Sequence, residues 1–395
     1  MTVKRVYIDY AATTPLDPRV LEAMTPYFLD FYGNASSSHT LGQEAKLALE
    51  NSRVKVSQLM GAKAEELIFT GSATESNNLV TKGHAFAQGK KKAHIAVSSV
   101  EHDCVLNSAK WLKENGFKVD FIPVDKYGFV RMDKLEEILK KGVTLVSVIH
   151  GNNEIGTINQ LEEIGKICHE YDALFHSDAA QSFGKVPINV EDMNVDLLTV
   201  NAHKLYGPKG IGALYMKKGV KLEPLLHGGG HEFGLRSSTE NVPGIVGFAK
   251  AVELRMIEIE SDTRRSIEMR DKLIKEVLKI DETYLNGHPT MRLPNNTNFR
   301  FSYIDGEGLV TGLDMEGISA SSGSACSSHS TEPSPSHVLL AIGLDGVKAR
   351  GSLRISLGKY NTDEDIDYVL EVLPRIVEGL RRISPLTPKD KKRTC

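Results

Sequence analysis

Between residues 45 and 217 one pattern repeats: a short apolar run, a small or polar stretch, then a helical periodicity. The runs are "ELIFT" (66–70), "HIAVSS" (94–99), "VDFIPV" (119–124), "TLVSVI" (144–149), "ALFHS" (173–177), "DLLTV" (196–200) and "GALYM" (212–216). Periodic segments such as "QEAKLALENSRVKVSQLM" (43–60) and "QLEEIGKICHEY" (160–171) lie between them. Strands that alternate with helices pair most readily in parallel, because a parallel partner needs a crossover of a dozen residues or more. The pattern therefore predicts an α/β fold, a mostly parallel sheet flanked by helices on both faces. A helical segment at about 245–280 follows "TENVPG" (239–244). Beyond it come two further strand patterns, "NFRFSY" (298–303) and "SLRISL" (352–357), and an amphipathic helix at about 362–383. With 395 residues the chain is long enough for this second part to be a smaller α+β domain.

Composition removes several function classes. Hydrophobic residues are 41% and charged residues 25%, with a formal net charge of -3. No strong field points to nucleic acid or to an acidic membrane. No apolar run approaches the roughly 20 residues that span a bilayer. The opening "MTVKRVYIDYAATT" has no apolar core or cleavage site of a signal peptide. The 4 cysteines (104, 168, 326 and 395) are widely spaced, with no C-x-x-C, so a cytoplasmic location with free thiols is expected. There is no G-x-G-x-x-G, P-loop, nucleophile elbow or H-E-x-x-H, and no firm metal site.

In open α/β sheets ligands sit beyond the carboxyl ends of the strands. Five of the runs end in polar or small residues: "GSATES", "VEHD", "HGNNEIG", "DAAQ" and "NAHK". Five such ends in one sheet point to a single site. "TGSATES" (70–76) suits a phosphate through first-turn N–H groups and the Thr74 hydroxyl; taken alone it is an ordinary helix cap. Asp178 is either a helix cap or a carboxylate that keeps a pyridinium nitrogen protonated, with Gln181 donating to the ring's phenolic oxygen. Lys204 is either a snorkelling lysine or a desolvated amine that attacks a carbonyl. His102 is a structural histidine or a flat ring stacked on a heterocycle. Arg354, alternating with apolar residues, is an exposed strand arginine or a clamp for a carboxylate. Cys168 packs in a helix. Cys326, in "SASSGSACSSHSTEPSPSH" (319–337), lies in loop composition where a reactive thiol is plausible.

Taken together these residues resemble the cysteine desulfurases of the NifS/IscS type, a class V group of fold-type I pyridoxal-phosphate enzymes. The match includes "YIDYAATTPLDPRV" (7–20), "ATESNN" (73–78), "EHDCVL" (101–106), "SDAAQSFGK" (177–185), "AHKLYGPKGIGALY" (202–215), "SSGSACSS" (321–328) and "LRISLGKYNT" (353–362). The resemblance implies a large domain over 14–255 and a small one made of 1–13 and 256–395. It implies Lys204 as the Schiff-base lysine, His102 on the ring face, Asp178 on the ring nitrogen and Gln181 on the ring oxygen. Ala73, Thr74, Asn201 and His203 match phosphate contacts, with Asn201 standing where relatives usually carry Ser or Thr. Thr239 matches a phosphate contact donated by a second subunit, so a homodimer is implied. Asn153 and Arg354 match groups that place the substrate, and Cys326 the nucleophile. The implied reaction turns L-cysteine into L-alanine and leaves a persulfide on Cys326 for a sulfur acceptor such as an iron–sulfur scaffold. A transient iron–sulfur ligand role for Cys326 stays open within that family. A selenocysteine lyase is the alternative on the same residues.

Overall fold

The computed structural model describes residues 4–323 and 335–388. Its strands in chain order are β1 (Val6–Tyr7), β2 (Leu67–Thr70), β3 (His94–Ser98), β4 (Lys118–Ile122), β5 (Leu145–Ser147) and β6 (Leu174–Asp178). They continue with β7 (Leu197–Asn201), β8 (Gly212–Met216), β9 (Thr283–Leu285), β10 (Asn296–Phe301), β11 (Ile318–Ser319) and β12 (Ser352–Ser356). All seven apolar runs of the first half are strands, with ends displaced by only a residue or two. They form one sheet in the order β2-β8-β7-β6-β5-β3-β4. Only β8 runs against its neighbours; the pairs β7–β6, β6–β5, β5–β3 and β3–β4 are parallel. The molecule is thus α/β with a mostly parallel sheet. Every residue of β2, β3, β5 and β7 is buried, which explains why these strands read as continuous apolar runs rather than alternating ones.

Helices cover both faces of the sheet. One face packs Phe69, Val146, Phe175, Leu198 and Val200 against Leu49, Ile164 and Phe248. The other packs Ile68, Ile95, Val97 and Leu214 against Leu79, Val105 and Leu112. A separate core lies under the three-stranded antiparallel sheet β12-β10-β9, where Phe299, Leu353 and Ile355 meet Leu309, Val369 and Leu373. The helix Val242–Val277 belongs to both. Its first half buries Ile245, Phe248 and Val252 against the large sheet; its second half buries Met269, Leu273 and Val277 under the small one. It starts at Val242, three residues earlier than the periodicity predicts, capped by Asn241, whose side chain accepts from Gly244 N. β1 pairs in parallel with β11, so the first described residues join the small sheet's side.

One buried ion pair holds the strand that leads into the site. Glu232 takes two donors from Arg53, at 2.7 and 2.9 Å, and the N–H of Phe69 in β2 at 2.7 Å. Arg53 also donates to Leu67 O at 2.7 Å. Both side chains are buried. Removing one partner leaves an uncompensated charge in the core. Glu232→Ala should therefore lower stability by about 3–5 kcal/mol. Lys55→Ala, which breaks an exposed pair with Glu253, should cost less than about 1 kcal/mol. Thermal and urea unfolding of the two variants beside the wild type checks the contrast; equal losses would remove the anchoring role of Glu232.

Candidate active site

Five strand ends converge on one cavity of about 270 Å³. β2 leads to Ser72, Ala73 and Thr74, and β3 to His102. β5 leads to Ile149 and Asn153, β6 to Asp178 and Gln181, and β7 to Asn201, His203 and Lys204. Parallel pairing is the reason these ends share one edge of the sheet.

At one end of the cavity the helix Ala73–Gln88 begins. Ser72 caps it by accepting from Glu75 N at 3.1 Å, while Glu75 accepts from Gly71 N at 2.8 Å and pairs with Arg236 at 2.9 Å. The cap reading and the anion reading are compatible. Ser72 and Glu75 close the turn, and the first-turn N–H groups of Ala73 and Thr74, which have no acceptor inside the helix, lie at the cavity. His203 lies there too. Burial and the nearby Lys204 push its pKa down to about 4, so it is neutral.

Asp178 ends β6 and starts no helix. Its Oδ1 accepts from Ala180 N at 2.9 Å within a turn, and its Oδ2 accepts from Asn77 at 2.7 Å. The helix-cap alternative thus falls away. His102 caps the helix Asp103–Glu114, with Nδ1 accepting from Cys104 N at 3.2 Å, and its ring lines the cavity. Lys204 sits in the turn after β7, where its N–H donates to Asn201 Oδ1 at 3.3 Å. Tyr206, two residues on, takes the left-handed conformation (φ 64°), and Thr14 Oγ1 accepts its N–H at 2.9 Å. The Lys204 amine does not snorkel to water. It donates to the carbonyls of Ala11 and Ala12, the latter at 2.6 Å, and pairs with no carboxylate among the described residues. Burial, with a contribution from Arg354, pushes it down to about 8.

Other sequence expectations meet mixed outcomes. Gln181 lines the cavity, but its amide donates to Ala11 O at 2.8 Å and its oxygen accepts from Lys185 at 3.4 Å. Arg354 is not an exposed strand arginine. It is buried in β12, pairs with Asp9 at 2.8 Å and donates to Asn153 O at 3.0 Å. Thr239 is exposed and does not line the cavity of its own chain. Cys326 and Cys395 lie outside the described residues. On one side of the undescribed stretch, Ser321 exchanges backbone hydrogen bonds with Arg354; on the other, Ser336 donates to Glu154. Cys168 is fully buried in helix packing, as its sequence context predicts. No group of three or more His, Cys, Asp or Glu side chains that could hold a metal occurs among the described residues.

Sequence reasoning passed over Asn77, Asp9 and the carbonyls of Ala11 and Ala12. Asn77 follows Thr74 by three residues, one helical turn, and that spacing was the available signal. The carbonyls carry no signal, because backbone has no residue type.

The cavity therefore offers helix-start N–H groups, a flat imidazole, a fixed carboxylate and an amine. Two buried polar atoms nearby, Asn153 Oδ1 and Arg354 Nε, have no hydrogen-bond partner among the described residues. Such atoms are costly unless a bound molecule satisfies them. This donor set fits pyridoxal phosphate: an anion at one end, a flat ring, a basic ring nitrogen and an aldehyde.

The class-V aminotransferase family matches residues 6–369. A cysteine desulfurase IscS of Dictyoglomus turgidum is 51% identical over 383 residues, covering 97% of each chain. Another, cysteine desulfurase IscS 1 of Archaeoglobus fulgidus, is 51% identical over 380 residues, covering 96% of this chain and 99% of its own. Among solved structures a NifS-like protein superposes with a TM-score of 0.89 at 40% identity, covering 95% of this chain and all of its own. The structure of SspA in complex with cysteine gives a TM-score of 0.80 at 38% identity, covering 90% and 100%. Fold, cavity and full-length similarity agree, and the chain belongs to the class-V aminotransferases, enzymes that depend on pyridoxal phosphate.

Proposed function

We propose that this enzyme is a cysteine desulfurase, which converts L-cysteine to L-alanine and passes the sulfur to Cys326 as a persulfide. The observation that carries the reading is the Lys204 amine, in no ion pair among the described residues, in one cavity with Asp178 and His102. The relatives at 51% identity bear the name cysteine desulfurase, and one solved relative holds cysteine. Those names do not favour the selenocysteine-lyase alternative. The division into 14–255 and 1–13 with 256–395 belongs to the same reading, since the long helix changes core between Leu254 and Met269.

Bound pyridoxal phosphate supplies an electron sink for the bonds at the substrate's α-carbon. The chain's own groups do the rest. Ala73, Thr74, Asn201 and His203 hold the phosphate. Asp178 orients the ring nitrogen, Gln181 the ring oxygen, and His102 covers the ring face. Lys204 would be the attachment point for the aldehyde, and its Nζ would hold and move the substrate's α-proton. Arg354 offers its Nε, unpaired among the described residues, with Asn153, to the substrate carboxylate. The Cys326 thiolate then attacks sulfur. The C–S bond breaks, an S–S bond forms, and the carbon left behind keeps the electron pair and takes a proton, giving alanine.

Thr239, exposed on its own chain, completes the phosphate site of a second copy, which makes the working form a homodimer. The persulfide passes to an acceptor protein such as an iron–sulfur scaffold. No described helix is long and apolar enough to cross a membrane, and the cytoplasm is the proposed location.

Alanine formation from L-cysteine, with pyridoxal phosphate and a reductant, should occur in the wild type and drop to background in Cys326→Ala. Equal rates would leave Cys326 without its role and hand the reaction to a lyase mechanism. A second expectation concerns pH. An amine is charged below its pKa and nucleophilic above it. With Lys204 pushed down to about 8, uptake of pyridoxal phosphate by the apo-protein should accelerate from pH 7 and level off above about 8. Absorbance-monitored reconstitution across pH measures this. A rise continuing toward the ordinary lysine value of 10.5 would show that the amine is not depressed.

A further inference from the structure

We propose that Asn77 and Cys104 are positioning residues that tie the Asp178 carboxylate to the His102 ring through a continuous run of hydrogen bonds. The inference rests on the reading above for what fills the cavity. Asn77 is completely buried in the helix Ala73–Gln88, one turn beyond Thr74. Its Nδ2 donates twice, to Asp178 Oδ2 at 2.7 Å and to Cys104 Sγ at 3.1 Å. Its Oδ1 is buried with no partner among the described residues. The two donations alone therefore orient the amide. Turning it over would press Oδ1 against a carboxylate.

Cys104 Sγ, which accepts from Asn77, lies 3.1 Å from His102 Nδ1. A thiol that accepts an N–H still has a proton to give, and Nδ1, at 3.1 Å, is an acceptor in reach beside the Thr74 hydroxyl. Burial, with Asp178 and Glu101 nearby, pushes the Cys104 pKa up to about 12, so the thiol keeps that proton. Nδ1 also receives the backbone N–H of Cys104 at 3.2 Å. With donors on Nδ1, the ring's own proton belongs on Nε2. The charged or titratable groups around Cys104 are Asp178, Glu101 and His102, and the Thr74 hydroxyl is close to it as well. The geometry thus fixes two sides of the cofactor site together: the orientation of the ring-nitrogen carboxylate, and the tautomer and tilt of the ring that covers it.

A serine at 104 keeps a donor and an acceptor; an alanine keeps neither. The test uses the full chain as wild type, Cys104→Ala, Cys104→Ser and Asn77→Ala. Two quantities are measured: the dissociation constant of pyridoxal phosphate by absorbance titration of the apo-protein, and the ¹⁵N shifts of the His102 ring, assigned with His102→Asn. The wild type should show a bare Nδ1 and a protonated Nε2. Cys104→Ala should weaken cofactor binding about three- to tenfold and shift the Nδ1 resonance, and Asn77→Ala should weaken binding tenfold or more, as expected for losing a hydrogen bond to a neutral and to a charged group. Cys104→Ser should restore both readouts. The proposal is overturned if Cys104→Ala matches the wild type in affinity and ring shifts, or if Cys104→Ser behaves like Cys104→Ala. The cysteine pair decides the matter even if Asn77→Ala does not fold. A wild type that takes up no pyridoxal phosphate defeats the functional reading instead, and the ring shifts still decide the tautomer.

Discussion

Parallel pairing of β3, β5, β6 and β7 is the constraint on which the rest of this molecule depends. Antiparallel neighbours would send alternate strand ends to opposite edges, and His102, Asn153, Asp178 and Lys204 could not share a cavity. The antiparallel β8 does not break this logic. Inserted between β2 and β7, it returns β2 to their direction and brings the start of the helix Ala73–Gln88 to the same edge. The fold gathers polar residues where β-strands cannot use them for packing, and the helices on both faces bury β2, β3, β5 and β7 throughout.

Within that frame the electrostatics are set by what is withheld. Arg354 has Asp9, and Arg53 has Glu232. Among the described residues Lys204 donates to two carbonyls and forms no ion pair, although Asp9 and Asp178 act on it from a distance. Carbonyls orient an ammonium but do not hold its proton as a carboxylate would, so burial wins and the amine is pushed down. A carboxylate placed at residue 11 or 12 would reverse that outcome without touching the lysine.

The sheet and most of its contents were legible in the sequence, for a physical reason. Strands buried on both faces read as unbroken apolar runs, and the residues after them stand out by contrast. Lys204, Asp178 and His102 were visible because polar chemistry at a strand end is conspicuous. Arg354 was half legible: its strand was clear, but alternation with apolar residues says nothing about which face is buried, and its Asp9 partner is 345 positions away. Asn77 and the carbonyls of Ala11 and Ala12 were not legible. An asparagine inside a helix looks like surface, and backbone acceptors are silent until the chain is folded. Gln181 shows a subtler limit, since its position was readable while its bond to Ala11 O was not.

The helix Val242–Val277 bears on how the site works as a mechanical object. Its 36 residues extend about 54 Å at 1.5 Å per residue. One end is clamped in the core beneath Lys204 and the other beneath the strand that carries Arg354. The span between, residues 256–268, contains neither glycine nor proline, and at its start Arg255 is fastened to Gly184 O and Asp262. A helix without such breaks bends gently rather than kinking. The rod therefore ties the core under the amine to the core under the guanidinium along one continuous backbone, while the bond from Arg354 to Asn153 O joins the same two parts directly at the cavity.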